Sequence, residues 1–289
     1  MKSSFRRWLA LATLPLFSGC QAAFFGAVNT GHHSIVAQTR TYSTGHALDL
    51  DIYRPTQTTQ ATPVALFFYG GSWRSGERSE YAFVGNALAA RGVLTLVADY
   101  RKFPQAPFPG FEEDAAQATR WTIDHAPEFG GDPRRVFLVG HSAGSQIVGL
   151  LATDARYLAA VGLKPRDLAG VVGIAGPYDF LPLTDPKLVE VFGPQAEWPA
   201  SQPIRFVDGD EPPFLLLHGD GDRIVDPRNS RVMAERLKTA GVSVTYKTYP
   251  GIGHFRILAG LRYPSLAPTL GDVVDFLLAP PSSVTGHKS

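Results

Sequence analysis

The run Arg135-Val-Phe-Leu-Val-Gly-His-Ser-Ala-Gly-Ser-Gln-Ile-Val-Gly-Leu-Leu-Ala152 decides the fold. Its apolar first part reads as a buried strand, and Gln146 to Ala152 reads as a helix. Between them stands G-x-S-x-G, Gly140 to Gly144. A serine on a tight strand-to-helix turn is pushed into solvent, with the amides of the helix start beside it. The flanking glycines let the turn take strained angles and leave room around Ser142. Gly makes up 29 of 289 residues, and chance alone would then produce the pattern roughly 0.2 times in such a chain. The motif carries weight only if partners for the serine exist in the right order.

Outward from that run, strands and helices alternate. Leu48 to Ile52 alternates like a half-exposed strand, while Val64 to Tyr69, Val93 to Ala98, Leu168 to Ile174, Pro213 to Leu217 and Val242 to Tyr246 complete the strand set. Helical patterns cover Tyr81 to Ala90, Phe111 to His125, Pro227 to Ala240 and Leu270 to Leu278. This order predicts an α/β fold, a mostly parallel sheet with helices on both faces. Between residues 176 and 212 the pattern breaks into prolines and short apolar pieces, which fit either a small cap over the site or a connecting loop.

The chain is 44% hydrophobic and 18% charged, as one large globular domain requires. A net charge of +1 gives no electrostatic case for a nucleic-acid partner. The amino terminus reads as an export signal over residues 1–19. Lys2, Arg6 and Arg7 precede the apolar run Trp8 to Phe17, which is too short to span a bilayer, and small Ser18 and Gly19 follow. The stretch Leu16-Phe-Ser-Gly-Cys20 resembles a bacterial lipobox, apart from Phe17 where Leu is usual. That resemblance implies a lipid-modified Cys20, a membrane anchor in the cell envelope, and, from Gln21, permission for outer-membrane sorting. The alternative is an ordinary signal and a periplasmic or secreted protein. Cys20 is the only cysteine, so no intrachain disulfide forms. Residues 20–45 read as a tether and edge segment, 46–279 as the α/β domain, and 280–289 as a disordered tail.

A serine hydroxyl is a weak nucleophile and needs a base, and the base needs an orienting acid. Three histidines follow Ser142: His218, His254 and His287. His287 lies in the tail, and His218 closes a buried strand, where a bond to nearby backbone accounts for it. His254 sits among turn residues after a strand, at the edge of the sheet where ligands bind in open α/β folds. It is the expected base. For the acid, Asp220, Asp222 and Asp226 compete. Asp226 precedes Pro227 and suits a helix cap. Asp220 suits a turn. Asp222, heading Asp-Arg-Ile-Val225, is the preferred acid, holding the His254 tautomer. Tyr69-Gly-Gly-Ser-Trp73 ends an early buried strand. Gly71 and Ser72, with Ala143, are the expected oxyanion N–H donors. Trp73 either walls the substrate pocket or simply packs. No metal-ligand spacing and no cofactor motif is present in the sequence.

These residues resemble the α/β-hydrolase superfamily, and more closely its esterase/lipase branch with an H-G-G-x-W oxyanion motif. That branch includes bacterial carboxylesterases of the hormone-sensitive-lipase type, prenylcysteine methylesterases and kynurenine formamidases. Matching stretches are Tyr69 to Gly76, Asp99-Tyr-Arg-Lys-Phe-Pro104, Gly130 to Val136, Gly140 to Gly144, Gly176-Pro-Tyr-Asp179, His218-Gly-Asp-Gly-Asp222 and Gly253-His254. The resemblance implies the triad Ser142, Asp222 and His254, and the Gly71, Ser72, Ala143 hole. Tyr69 departs from it, standing where the branch has His. The expected activity is hydrolysis of small-molecule carboxylic esters through an acyl-enzyme. A formamidase-like N-formyl amide hydrolase, and a non-catalytic ligand-binding lipoprotein, are the alternatives.

Overall fold

A computed structural model of the protein describes residues 16–30, 38–59 and 62–279, with side chains from residue 23 onward. Its strands are β1 (Gln38–Ser43), β2 (Leu48–Tyr53), β3 (Val64–Phe68), β4 (Leu94–Ala98), β5 (Val136–His141), β6 (Gly170–Ile174), β7 (Phe214–Gly219) and β8 (Val244–Tyr249). They form one sheet in the order β1-β2-β4-β3-β5-β6-β7-β8. β2 runs antiparallel to both neighbours, and the other pairs are parallel. Every residue of β3 to β7 is buried, which is why those strands read as unbroken apolar runs. The edge strand β8 is half exposed and alternates.

The helices are α1 (Leu16–Asn29), α2 (Ala82–Ala89), α3 (Gly110–His125), α4 (Ala143–Thr153), α5 (Ala155–Ala160), α6 (Pro186–Phe192), α7 (Arg228–Thr239), α8 (His254–Ala259) and α9 (Thr269–Leu278). α3, α4 and α5 pack as one group, and α1, α2 and α9 as another, so both faces of the sheet are covered. The fold is the one expected from the alternation of strands and helices. Its register places the site. Phe68 lies opposite Gly140, His141 opposite Ile174, and Ile174 opposite Leu217. The loops after β3, β5, β6 and β7 therefore leave the carboxyl edge at one level, where side chains from distant parts of the chain can meet.

One segment differs from the sequence reading. Residues 23–30 are docked on the domain rather than a tether, while β1 is an edge strand of the sheet, as expected of the edge segment before residue 46. β1 pairs with β2, and α1 buries Phe25 and Val28. The Phe25 ring lies 4.8 Å from that of Tyr81. Asn29 donates to the Glu80 carbonyl at 2.8 Å and accepts from the Phe83 amide at 3.1 Å. These contacts link residues some 50 positions apart, which local periodicity does not record. The segment from 176 to 212 holds α6 and two short 3-10 turns, Trp198–Ser201 and Pro203–Phe206. It is tied down by the Phe108 amide, which donates to the Val191 carbonyl at 2.9 Å. Most of the export signal and the tail from 280 lie outside the described residues, as does the Cys20 side chain. Among the described residues no helix is long and apolar enough to cross a membrane.

Candidate active site

Ser142 sits between β5 and α4 with φ +55° and ψ −121°, a conformation that a non-glycine residue holds only when its surroundings enforce it. Those surroundings are visible. A Cβ on Gly140 would lie 2.3 Å from the Gly144 carbonyl oxygen, and one on Gly144 would lie 2.0 Å from the Phe68 carbonyl oxygen. Both positions require glycine for β3, β5 and α4 to close this tightly. The Ser142 amide donates to the Ile174 carbonyl at 2.9 Å. Ser145 stitches the same corner, its Oγ 2.7 Å from the Gly140 carbonyl and accepting from the Ile174 amide at 2.9 Å.

The loop after β3 lies directly on the serine, since a Cβ on Gly70 would come within 2.8 Å of Ser142 Cβ. Gly71, Ser72 and Trp73 all have positive φ, at +136°, +53° and +57°. The turn is fixed by the Arg74 and Ser75 amides, both 3.0 Å from the Gly71 carbonyl, and by the Phe103 amide on the Trp73 carbonyl at 2.8 Å. Among the described residues, the N–H groups of Gly71, Ser72 and Ala143 have no protein acceptor. Tyr69 braces the loop from below. Its hydroxyl donates to Asp99 Oδ1 at 2.6 Å and accepts from Lys102 Nζ at 2.9 Å, and its ring is stacked between Tyr81 and Tyr100.

Trp73 is 4% exposed and lies among Phe111, Phe180 and Phe192, so its position is that of a packing residue rather than an open pocket wall. The short helix α6, which the sequence pattern did not reveal, supplies Phe192. Trp73 Nε1 donates to Gln146 Oε1 at 2.9 Å, and Gln146 Nε2 donates to Glu112 Oε1 and to the Ser201 carbonyl, both at 3.0 Å. Gln146 thus joins the loop after β3 to α3, α4 and the 176–212 segment, a role its place in an apolar helix gave no sign of.

Glu112 is wholly buried, and among the described residues its Oε2 has no partner. Burial pushes its carboxyl well above the ordinary range; the Gln146 bond opposes this and Asp154 reinforces it. The unfolded chain ionises this group near ~4.3, whereas the folded chain keeps it protonated to higher pH. Its stabilising effect is complete below the unfolded value and fades as pH rises toward the folded one. Glu112→Gln, neutral at all pH, should therefore raise the calorimetric melting midpoint by about 2–4 °C at pH 8 and leave it unchanged at pH 4.

At the other end of the site, α8 opens with His254, whose Nδ1 lies 2.7 Å from Asp222 Oδ2. Asp222 Oδ1 accepts from the Ile224 and Val225 amides at 2.8 and 3.0 Å. Burial alone would raise the Asp222 pKa. The bonds from His218 and His254 outweigh it and hold the carboxyl well below the ordinary range. Asp220 is exposed and accepts from the Gly251 amide at 2.6 Å, fixing the turn before His254. Asp226 accepts from the Arg228 amide at 2.9 Å, in the turn that leads through Pro227 into α7. His141, the variable residue of the pentapeptide, is buried with Nε2 3.2 Å from the His254 carbonyl. Burial first, and then the neighbouring His254, lower its pKa well below the ordinary value, so it is the neutral ring that donates there.

Ser142 Oγ and His254 Nε2 carry no hydrogen bond among the described residues, and the rings of His141 and His254 lie 4.8 Å apart beside the serine. One edge of the sheet thus gathers a hydroxyl on a strained turn, an imidazole oriented by a buried carboxylate, and three unused amides. Fold and site together define an α/β-hydrolase of the esterase/lipase kind. The chain belongs to the BD-FAE family, which it matches over residues 50–237.

Esterase LipC of Mycobacterium tuberculosis is 32% identical over 79% of this chain and 61% of its own length. The isoprenylcysteine alpha-carbonyl methylesterase ICME of Arabidopsis thaliana is 27% identical over 71% of this chain and 53% of its own. The chain therefore spans less than two thirds of the length of these relatives. Among solved structures, the apo form of Thermogutta terrifontis esterase 2 superposes with a TM-score of 0.72 at 24% identity, covering 86% of this chain and 98% of that one. Other structures of that enzyme are bound to butyrate or to propionate, or phosphonylated by sarin.

Proposed function

We propose that the chain is a serine carboxylic ester hydrolase acting on small-molecule esters. The observation that carries this is the 2.7 Å bond between Asp222 Oδ2 and His254 Nδ1 at the sheet edge where Ser142 is held at φ +55°. In this reading His254 Nε2 takes the Ser142 proton as Oγ attacks the ester carbonyl. The amides of Gly71, Ser72 and Ala143 receive the oxyanion. His254 then protonates the leaving alcohol, and an acyl-Ser142 remains. Water, deprotonated by the same His254, attacks the acyl carbon and releases the acid. Asp222 stays ionised throughout and stabilises the imidazolium.

The butyrate and propionate bound to the Thermogutta enzyme favour a short acyl group. On p-nitrophenyl esters, kcat/KM is expected to fall at least about tenfold between butyrate and dodecanoate, and to exceed that for an N-formyl arylamine. A panel of purified-enzyme rates in which the formamide wins would reassign the chain to amide chemistry. The basic start, the short apolar run and the Leu16 to Cys20 stretch support export with a lipid anchor on Cys20. Because α1 continues into buried Phe25 and Val28, such an anchor would hold the domain close to the membrane surface rather than on a long leash.

A further inference from the structure

His218 lies at the end of β7, and its side chain is fully buried. Its Nε2 is 3.1 Å from the Val225 carbonyl and 3.2 Å from Asp222 Oδ2, the same oxygen that meets His254. Two acceptors face Nε2, so that nitrogen carries a proton. Its Nδ1 lies 2.7 Å from Ser230 Oγ, on the first turn of α7, and the hydroxyl can donate to it. The result is a chain of donors, Ser230 to His218 to Asp222, meeting His254 from the far side of the carboxylate. Among the described residues, Ser230 makes no other side-chain hydrogen bond.

We propose that His218 is a positioning residue, held by Ser230, which fixes the Asp222 carboxylate for His254 and tempers its pull on that imidazole. The proposal rests on the triad reading of the preceding subsection. The Asp222 carboxylate has two faces. Backbone amides hold Oδ1, and the two imidazoles of His218 and His254 meet Oδ2. With His218 removed, one N–H is lost from a buried anion. The remaining charge falls more heavily on His254, so the imidazolium is stabilised and a higher pH is needed to free the base. The groups facing His254 are Asp222 from the loop after β7, His141 from β5, and His218 across the carboxylate. Of these only His218 would be changed.

The test compares His218→Leu, His218→Gln and Ser230→Ala in the full chain. It follows the pH profile of kcat/KM on p-nitrophenyl acetate, the melting midpoint, and the low-field proton NMR resonance of the His254–Asp222 hydrogen bond. His218→Leu should lower kcat/KM about 10–100-fold and move the acid limb upward by about half a pH unit. His218→Gln, which can still present an N–H, should restore the limb. Ser230→Ala should move the limb in the same direction but less. A lower midpoint in His218→Leu with the limb and the resonance unmoved overturns the proposal, because packing alone would do that. If His218→Leu does not fold, an unmoved limb in Ser230→Ala overturns it. The NMR signal needs no substrate. A wild-type protein that hydrolyses no ester, yet whose resonance shifts in His218→Leu, supports the positioning role while refuting the esterase reading.

Discussion

Ser142→Ala is expected to lose ester hydrolysis by about 10⁴–10⁶-fold in kcat while keeping its fold. Both halves of that expectation follow from the geometry. Ser142 Oγ has no hydrogen bond among the described residues, so its removal leaves nothing unpaired. Alanine bears the same strain at φ +55° as serine, and the turn that enforces it, built on Gly140, Gly144 and Ser145, is untouched. The melting midpoint should then correspond to a stability change within about 0.5 kcal/mol. Residual turnover would come from the three amides and from water activated by His254, which act without the nucleophile. An organophosphonate should label the parent at Ser142 and leave the variant untouched. A variant that hydrolysed p-nitrophenyl acetate at the parent rate would remove the serine mechanism altogether.

The central sheet was legible because its strands are buried on both faces and therefore continuous in sequence. Val64 to Phe68 and Val136 to Val139 cannot be read as anything else once Gly and helical periodicity bound them. The pairing of Asp222 with His254 was reached by elimination among few histidines and a short acidic loop, and the structure brings those two side chains together. What escaped depends on contacts across the chain. α1 joins the domain through Phe25 on Tyr81 and through Asn29, and a run that begins as an export signal gives no local sign of docking. α6 is brief and proline-led, yet its Phe192 helps bury Trp73. His218 was explained by a backbone bond, which exists on Val225, and the second contact of the same nitrogen with Asp222 needs three dimensions to be seen. Tyr69, a departure in sequence, keeps a bracing function through its hydroxyl on Asp99.

The acid is where sequence left a real choice, and Asp222→Asn against Asp220→Asn decides it. In Asp222→Asn the Oδ1 position can still accept from the Ile224 and Val225 amides, so the new NH₂ group takes the place of Oδ2. There it must donate to His254 Nδ1, which forces the imidazole proton onto Nε2, the atom that has to accept from Ser142. The same NH₂ also faces the Nε2–H of His218, donor against donor. A loss of about 10⁴ in kcat is expected, with labelling by an organophosphonate slowed in parallel. Stability should fall too, and its pH dependence carries a sign. A carboxylate held below its ordinary value contributes stability that is full above the unfolded value of about 3.9 and is lost as pH falls from there through the depressed value. The midpoint deficit of Asp222→Asn should therefore stay level from neutral to mildly acidic pH and shrink below about pH 4. Asp220→Asn keeps an oxygen for the Gly251 amide and touches neither imidazole, so its kcat should remain within about twofold of the parent. If instead Asp220→Asn were the crippled variant, the carboxylate bonded to His254 in the folded protein would not be the one that serves the reaction, and the assignment of Asp222 would fall.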